Sequence, residues 1–134
     1  MIQVFQDGVV KCWDMATDKL KLNLKLQLDA KSVIQKINLS PCAQYLSIIL
    51  QSEIKIFNLK NGLREIISQK MNCQLICWSR IKTCKFVLFQ STVCFIYEDF
   101  QVKKLNLPYN YAVSAIFDKD DHLIWGSQNG QICI

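Results

Sequence analysis

The stretch Asp7-Gly8-Val9-Val10-Lys11-Cys12-Trp13-Asp14 decides how the rest of the chain is read. Asp-Gly is a strong short-range hairpin signal, because a two-residue type I′ turn needs φ > 0 at both central positions. Val9, Val10, Cys12 and Trp13 then supply β-branched and bulky side chains that suit a pleated, buried surface. The stretch predicts a turn running into a strand of an all-β unit. Whether that unit stands alone depends on whether its pattern returns.

It returns twice. EIKIFNLKNG (Glu53 to Gly62) and TVCFIYEDF (Thr92 to Phe100) each show an apolar strand that ends in an aromatic, then a polar residue, then a turn. The aromatics are Trp13, Phe57 and Tyr97, 44 and 40 residues apart. A second marker runs in parallel. INLSPCAQYLSIIL, ICWSRIKTCKFVLF and AIFDKDDHLIWGS are each a strand, a polar turn and another strand, and their turn residues Ser40-Pro41, Arg80-Ile81 and Lys119-Asp120 recur at intervals of 40 and 39. Two markers on one period imply a repeat of four short strands.

The strands fall at 2–6, 9–14 and 20–28 in a first unit without its leading strand. They continue at 33–39, 45–50, 53–59 and 64–69, then at 74–79, 85–90, 92–98 and 102–107, with a last unit at 113–118, 122–127 and 131–134. Leu20 to Leu28, LKLNLKLQL, alternates strictly, so period 2 places its five leucines on one face and Lys21, Asn23, Lys25 and Gln27 on the other. YLSIIL (Tyr45 to Leu50) is apolar on both faces, as a strand between neighbouring sheets must be.

The totals agree with a packed core. Of 134 residues, 51% are hydrophobic and 20% charged, which excludes a disordered chain. The longest apolar runs, Phe86 to Phe89 and Ser47 to Leu50, are strand-sized rather than membrane-sized. MIQVFQDG carries no basic lead and no small-residue cleavage site, so it is not read as a secretory signal. Seven irregularly spaced cysteines then point to free thiols in a reducing, intracellular setting, cytoplasmic or nuclear. Without secretion, the sequon Asn38-Leu39-Ser40 carries no weight. The net charge of +5 comes from lysines spread from Lys11 to Lys119, densest at Lys19, Lys21 and Lys25, with only Arg64 and Arg80 as arginines. That spread suits solvated faces and guarded edges better than a concentrated nucleic-acid surface.

Chemistry finds little to stand on. A Ser-His-Asp or Cys-His set needs a positioned base, and His122, the only histidine, falls where a turn enters a strand, so a surface or turn role is expected of it. Asp118, Asp120 and Asp121 lack the further oxygen ligands and central glycine of a calcium loop, and Asp suits a turn because it bonds its own backbone. Cys73, Cys77 and Cys84 come nearest to a zinc set, but without Cys-x-x-Cys spacing or a nearby histidine. Cys12, Cys77 and Cys94 fall inside strands as small hydrophobes, and Trp78 and Trp125 fall in strands as core. No catalytic, cofactor-binding or metal residue is expected, and no cofactor.

With Asp7-Gly8, Trp13-Asp14 and a period near 40, the chain resembles the WD-repeat β-propeller family. The resemblance implies an all-β, partial propeller of four-stranded antiparallel blades spanning 1–134, divided as 1–29 (incomplete), 30–70, 71–108 and 109–134 (incomplete). It departs from the family pattern at Phe57-Asn58 and Tyr97-Glu98, which replace Trp-Asp, and no Gly-His dipeptide occurs. The family's hydrogen-bonded His, Asp, Ser/Thr and Trp set therefore has no counterpart, and apolar packing between blades must replace it. The resemblance implies a non-catalytic protein–protein interaction scaffold, completed by further blades or a partner chain, without membrane insertion. The alternative is a nucleic-acid-associated propeller in an RNA-processing or ribosome-assembly complex. Ubiquitin-ligase receptors of the family carry Arg two residues after Trp-Asp; Ala16 stands there, and Lys60 in the next repeat is a poor substitute.

Overall fold

The computed structural model describes residues 1–28, 32–60, 62, 64–99, 101–108 and 112–134, without the side chains of Leu22 and Leu24. The unit boundaries expected at 29/30 and at 109 lie outside the described residues. Fourteen strands follow in order: β1 (Ile2–Val4), β2 (Val9–Asp14), β3 (Lys19–Lys25), β4 (Ile34–Leu39), β5 (Tyr45–Leu50), β6 (Glu53–Asn58) and β7 (Arg64–Lys70), then β8 (Leu75–Trp78), β9 (Lys85–Gln90), β10 (Val93–Glu98), β11 (Gln101–Asn106), β12 (Ala112–Phe117), β13 (Leu123–Ser127) and β14 (Ile132–Cys133). They form four antiparallel sheets of three, four, four and three strands, each a simple meander in chain order. Among the described residues there is no helix.

Alternation explains how one strand serves two cores. In β5 all six residues are buried. Leu46, Ile48 and Leu50 face the first sheet and meet Val10 and Leu26, while Tyr45 and Ile49 face the third sheet and meet Ile76, Trp78 and Phe86. β9 repeats the division: Phe86 and Leu88 pack back on the second sheet, Val87 and Phe89 forward on Ala112, Phe117 and Trp125 of the fourth. Period 2 thus turns each middle strand into a two-sided apolar wedge. The three cores lie between consecutive sheets.

Trp13, Phe57 and Tyr97 take the same place, the fifth residue of the six-residue strands β2, β6 and β10. Register carries a consequence. Ile54 and Cys94, three positions earlier in their strands, point forward to the next sheet, whereas Phe57 and Tyr97 pack on the sheet before. Trp13, with no described sheet before its own, is only half-buried, while Phe57 and Tyr97 are buried.

Two expectations are corrected. The turn at Asp7-Gly8 is not type I′: the Gly8 N–H donates to the Phe5 carbonyl at 2.9 Å, and only Gly8 has positive φ, +82°. The chain makes a three-residue loop, a type I turn closed by a left-handed glycine, which also matches the right-handed strand twist. Asn129-Gly130 repeats it, with φ +79° at Gly130 and its N–H on the Ser127 carbonyl at 3.0 Å. Nor do the five leucines from Leu20 share one dry face. A bulge between Cys12 and Trp13 shifts the register, leaving Leu20 43% exposed while Leu26, beyond the end of β3, is buried. The faces of Leu22 and Leu24 lie outside the described residues.

Candidate functional site

The first-to-second strand turns are built on one recurring device. Ser40, Ser79 and Asp118, 39 residues apart, each follow the first strand of a sheet, and each presents a side-chain oxygen to the turn's own backbone. Ser40 Oγ accepts the Tyr45 N–H at 2.9 Å. Ser79 Oγ accepts those of Ile81 and Lys82 at 3.1 and 2.9 Å. Asp118 Oδ1 accepts those of Asp120 and His122, both at 2.8 Å. Small hydroxyls and carboxylates cap turns in this way because they reach back to backbone donors that no strand partner satisfies. Each turn closes through the capping residue's own N–H, which bonds the carbonyl of Tyr45, Lys85 or His122.

That closure makes Tyr45, Lys85 and His122 register equivalents. The first two reach into the next sheet's turn. The Tyr45 hydroxyl meets Cys84 Sγ at 2.8 Å, and burial first, then that thiol, pushes the phenol up to about 12. The Lys85 ammonium meets Asp121 Oδ2 at 2.6 Å and lies 5.2 Å from the centre of the Phe117 ring. Ser79 Oγ donates to the other oxygen of Asp121 at 2.6 Å. The pair is largely shielded, with side-chain exposures of 15% and 11%. Burial opposes the charge on Asp121, but the hydrogen bonds from Lys85 and Ser79 and the lysine charges outweigh it and hold the carboxyl below its ordinary value of 3.8. A further bond joins the Tyr97 hydroxyl on β10 to Gln69 on β7. Apolar packing between sheets is thus supplemented by polar pins that sequence reading missed; the 39-residue recurrence of Ser40, Ser79 and Asp118 was the available signal.

The remaining candidates fall into place individually. His122 is exposed, with Nδ1 3.1 Å from Asp118 Oδ2. Asp118, Asp120 and His122 bring ligand atoms close together at the surface, the one such group among the described residues, but Asp118 already caps its turn with one oxygen and meets the imidazole with the other. The Asp118 carboxyl is held low chiefly by the His122 backbone N–H. Asp121, the third acid of that patch, turns away to Lys85 with φ +64°. Cys73 and Cys77 pack in different cores on opposite sides of the third sheet, so they do not converge on one site with Cys84. Burial pushes each of the two thiols up to about 11. All seven cysteines are unpaired. Cys94 is buried in β10, whereas Cys12 in β2 is half-buried. Trp78 stacks on Tyr45 at 5.8 Å, and Trp125 packs against Phe89, both within the cores. Ala16 and Lys60 sit in the β2–β3 and β6–β7 turns, where their N–H groups bond Asp14 and Asn58 side chains at 2.9 Å. At Asp14 and Asn58 the residue that follows the repeat's aromatic therefore serves as a turn cap, whereas Glu98 meets Lys82 instead.

Beside β14 lies a groove of about 610 Å³ between the outer parts of the third and fourth sheets. Its walls include Ile96, Leu105 and Leu107 on one side and Trp125, Cys133 and Ile134 on the other, with Lys85, Asp121 and His122 also lining it.

No protein-family model and no curated protein matches the sequence. Solved structures do match: 109 chains share the arrangement. One is a chain in the crystal structure of the mitotic checkpoint complex, with TM-score 0.67 and 12% identity over 99% of this chain. The chain spans 45% of that chain's length. At this identity the likeness is one of fold. No helix of the described residues is long and apolar enough to cross a membrane.

Proposed function

We propose that the chain is a non-catalytic protein-interaction scaffold, a partial β-propeller of WD-repeat type that works inside a larger assembly. The observation that supports this best is the repeated seam: Tyr45 and Lys85, register equivalents in successive sheets, each pin the following sheet's turn. Rigid sheets joined this way hold their turns in a fixed relation, which is what a binding surface requires and what preorganisation contributes to affinity. The fold likeness to a chain of a multi-protein complex agrees with that use. Seven unpaired cysteines suit a reducing, intracellular setting, cytoplasmic or nuclear.

The outer strands carry the charge that a nucleic-acid role would use, Lys19, Lys21 and Lys25 on β3 and Lys103 and Lys104 on β11. Binding of the purified chain to a mixed RNA pool, measured between 50 and 200 mM salt (about one decade in affinity per two or three phosphate contacts), separates the two readings. The scaffold reading expects weak binding without a steep salt slope. A steep slope with tight binding at low salt would replace it by the nucleic-acid reading.

A further inference from the structure

We propose that Thr83 is a phosphorylation site, used by a protein kinase that reads basic residues before its acceptor. Among the serines and threonines of the chain, Thr83 alone has a cation three positions before it, Arg80, and Lys82 directly precedes it. The fold puts that stretch within reach. Arg80, Ile81, Lys82 and Thr83 are all exposed, in the turn between β8 and β9. It is the longest of the three capped turns: the N–H of Ser79 bonds Lys85, six residues on, against five from Ser40 to Tyr45 and four from Asp118 to His122. Ser79 Oγ holds the amides of Ile81 and Lys82, ahead of Thr83, and the bond that spans Thr83, from the Lys85 N–H to the Lys82 carbonyl, is long at 3.4 Å. An exposed segment held by so little opens at low cost and is readily drawn into a kinase groove. Carboxylates lining such a groove pair with the fork of Arg80. The step is a phosphoryl transfer: the γ-phosphorus of ATP bonds Thr83 Oγ1, its bond to the ADP oxygen breaks, and the hydroxyl proton passes to the kinase's carboxylate base. The added group lands between two seams. Cys84, next in the chain, meets the Tyr45 hydroxyl of the second sheet, and Lys85 meets Asp121 of the fourth. Lys82 ties the turn to Glu98 at the end of β10. A phosphate brings a charge of about −1.5 to −2 and three acceptor oxygens, so it draws Lys82 away from the single carboxylate of Glu98.

The site holds whether the chain serves as a protein scaffold or on nucleic acid. The purified chain is incubated with Mg²⁺, ATP and a basophilic kinase that selects arginine three residues before its acceptor; an acidophilic kinase, which selects carboxylates, is the control. Intact mass is expected to show one phosphoryl group with the basophilic enzyme, mapped to Thr83 by fragmentation. Thr83→Ala should abolish incorporation, and Arg80→Ala should lower kcat/KM about tenfold, the loss of one charge-assisted pair. Both side chains are exposed and lie outside the strands, so both variants should melt with the parent chain. In the phosphorylated chain the Glu98 carboxyl, held below its ordinary 4.5 chiefly by the Lys82 hydrogen bond, should titrate closer to that value, followed by NMR of the side chain. No incorporation, incorporation at another residue, or modification of Thr83 that is indifferent to Arg80→Ala overturns the proposal. Equal modification of Thr83 by the acidophilic enzyme overturns it as well. An unmoved Glu98 titration at full phosphorylation overturns the capture of Lys82 by the phosphate.

Discussion

Gly8 shows what one residue decides in this chain. Its φ of +82° lies in the left-handed region, and a Cβ built there would stand 2.6 Å from the Leu26 carbonyl oxygen. The same glycine's carbonyl accepts the Leu26 N–H at 2.8 Å, so the loop closes the β1–β2 hairpin and anchors the chain leaving β3 in one contact. Gly8→Ala is expected to destabilise the fold by about 2 kcal/mol, the strain of a left-handed alanine plus the displacement of Leu26. Chemical denaturation checks it. Gly130, with φ +79° and nothing within 4 Å of its Cβ position, should lose only the conformational part, about 1 kcal/mol, so the difference between the two alanine variants isolates the close approach.

At the scale of elements, the middle strands carry the fold because both their faces are dry. Ile48 on β5 is 0% exposed and faces the first sheet among Val10, Leu26 and Phe57. Truncation to alanine removes three methylene-sized groups from a packed core and should cost about 3 kcal/mol. Val102 on the outer strand β11 is 57% exposed, and its truncation should change stability by less than about 0.5 kcal/mol. Urea midpoints of the two variants measure the contrast. Equal losses would mean that the outer strands, not the middle ones, hold the sheets together.

For the whole molecule, the polar pins make cohesion between sheets depend on pH. Asp121 has a carboxyl pKa below its unfolded value of 3.8, so its contribution is fully present above about pH 4 and is lost as pH falls through the lower, folded value. The third and fourth sheets should therefore loosen first in acid. Asp121→Asn keeps a residue that tolerates positive φ but removes the charge, leaving Lys85 shielded and unpaired. A loss of about 2 kcal/mol at neutral pH is expected, discounted from a fully buried pair for the residual exposure of both groups. The variant's stability should also vary less with pH below 4 than the parent's. Thermal melts from pH 7 to pH 3 test both statements; an unchanged acid slope would move the pH dependence to another carboxylate.

The strand pattern was legible in the sequence because period 2, turn residues and a repeat near 40 are local or recurring signals. Each of the fourteen strands stands within a few residues of where alternation and turns place it, and Trp13, Phe57 and Tyr97 keep one register. Burial of YLSIIL on both faces was equally legible, since an uninterrupted apolar strand has no wet side to offer. Other features were decided by tertiary structure. The bulge before Trp13 turned Leu20 outward, because a one-residue register slip exchanges the two faces of a strand. The close approach of Leu26 to Gly8 is another, whereas the three-residue form of that loop is local, since it recurs at Gly130 with nothing within 4 Å. Lys85 and Asp121 are 36 residues apart, and nothing local pairs them. They meet because consecutive sheets stack with equivalent turns side by side, and only the packed molecule makes that neighbourhood.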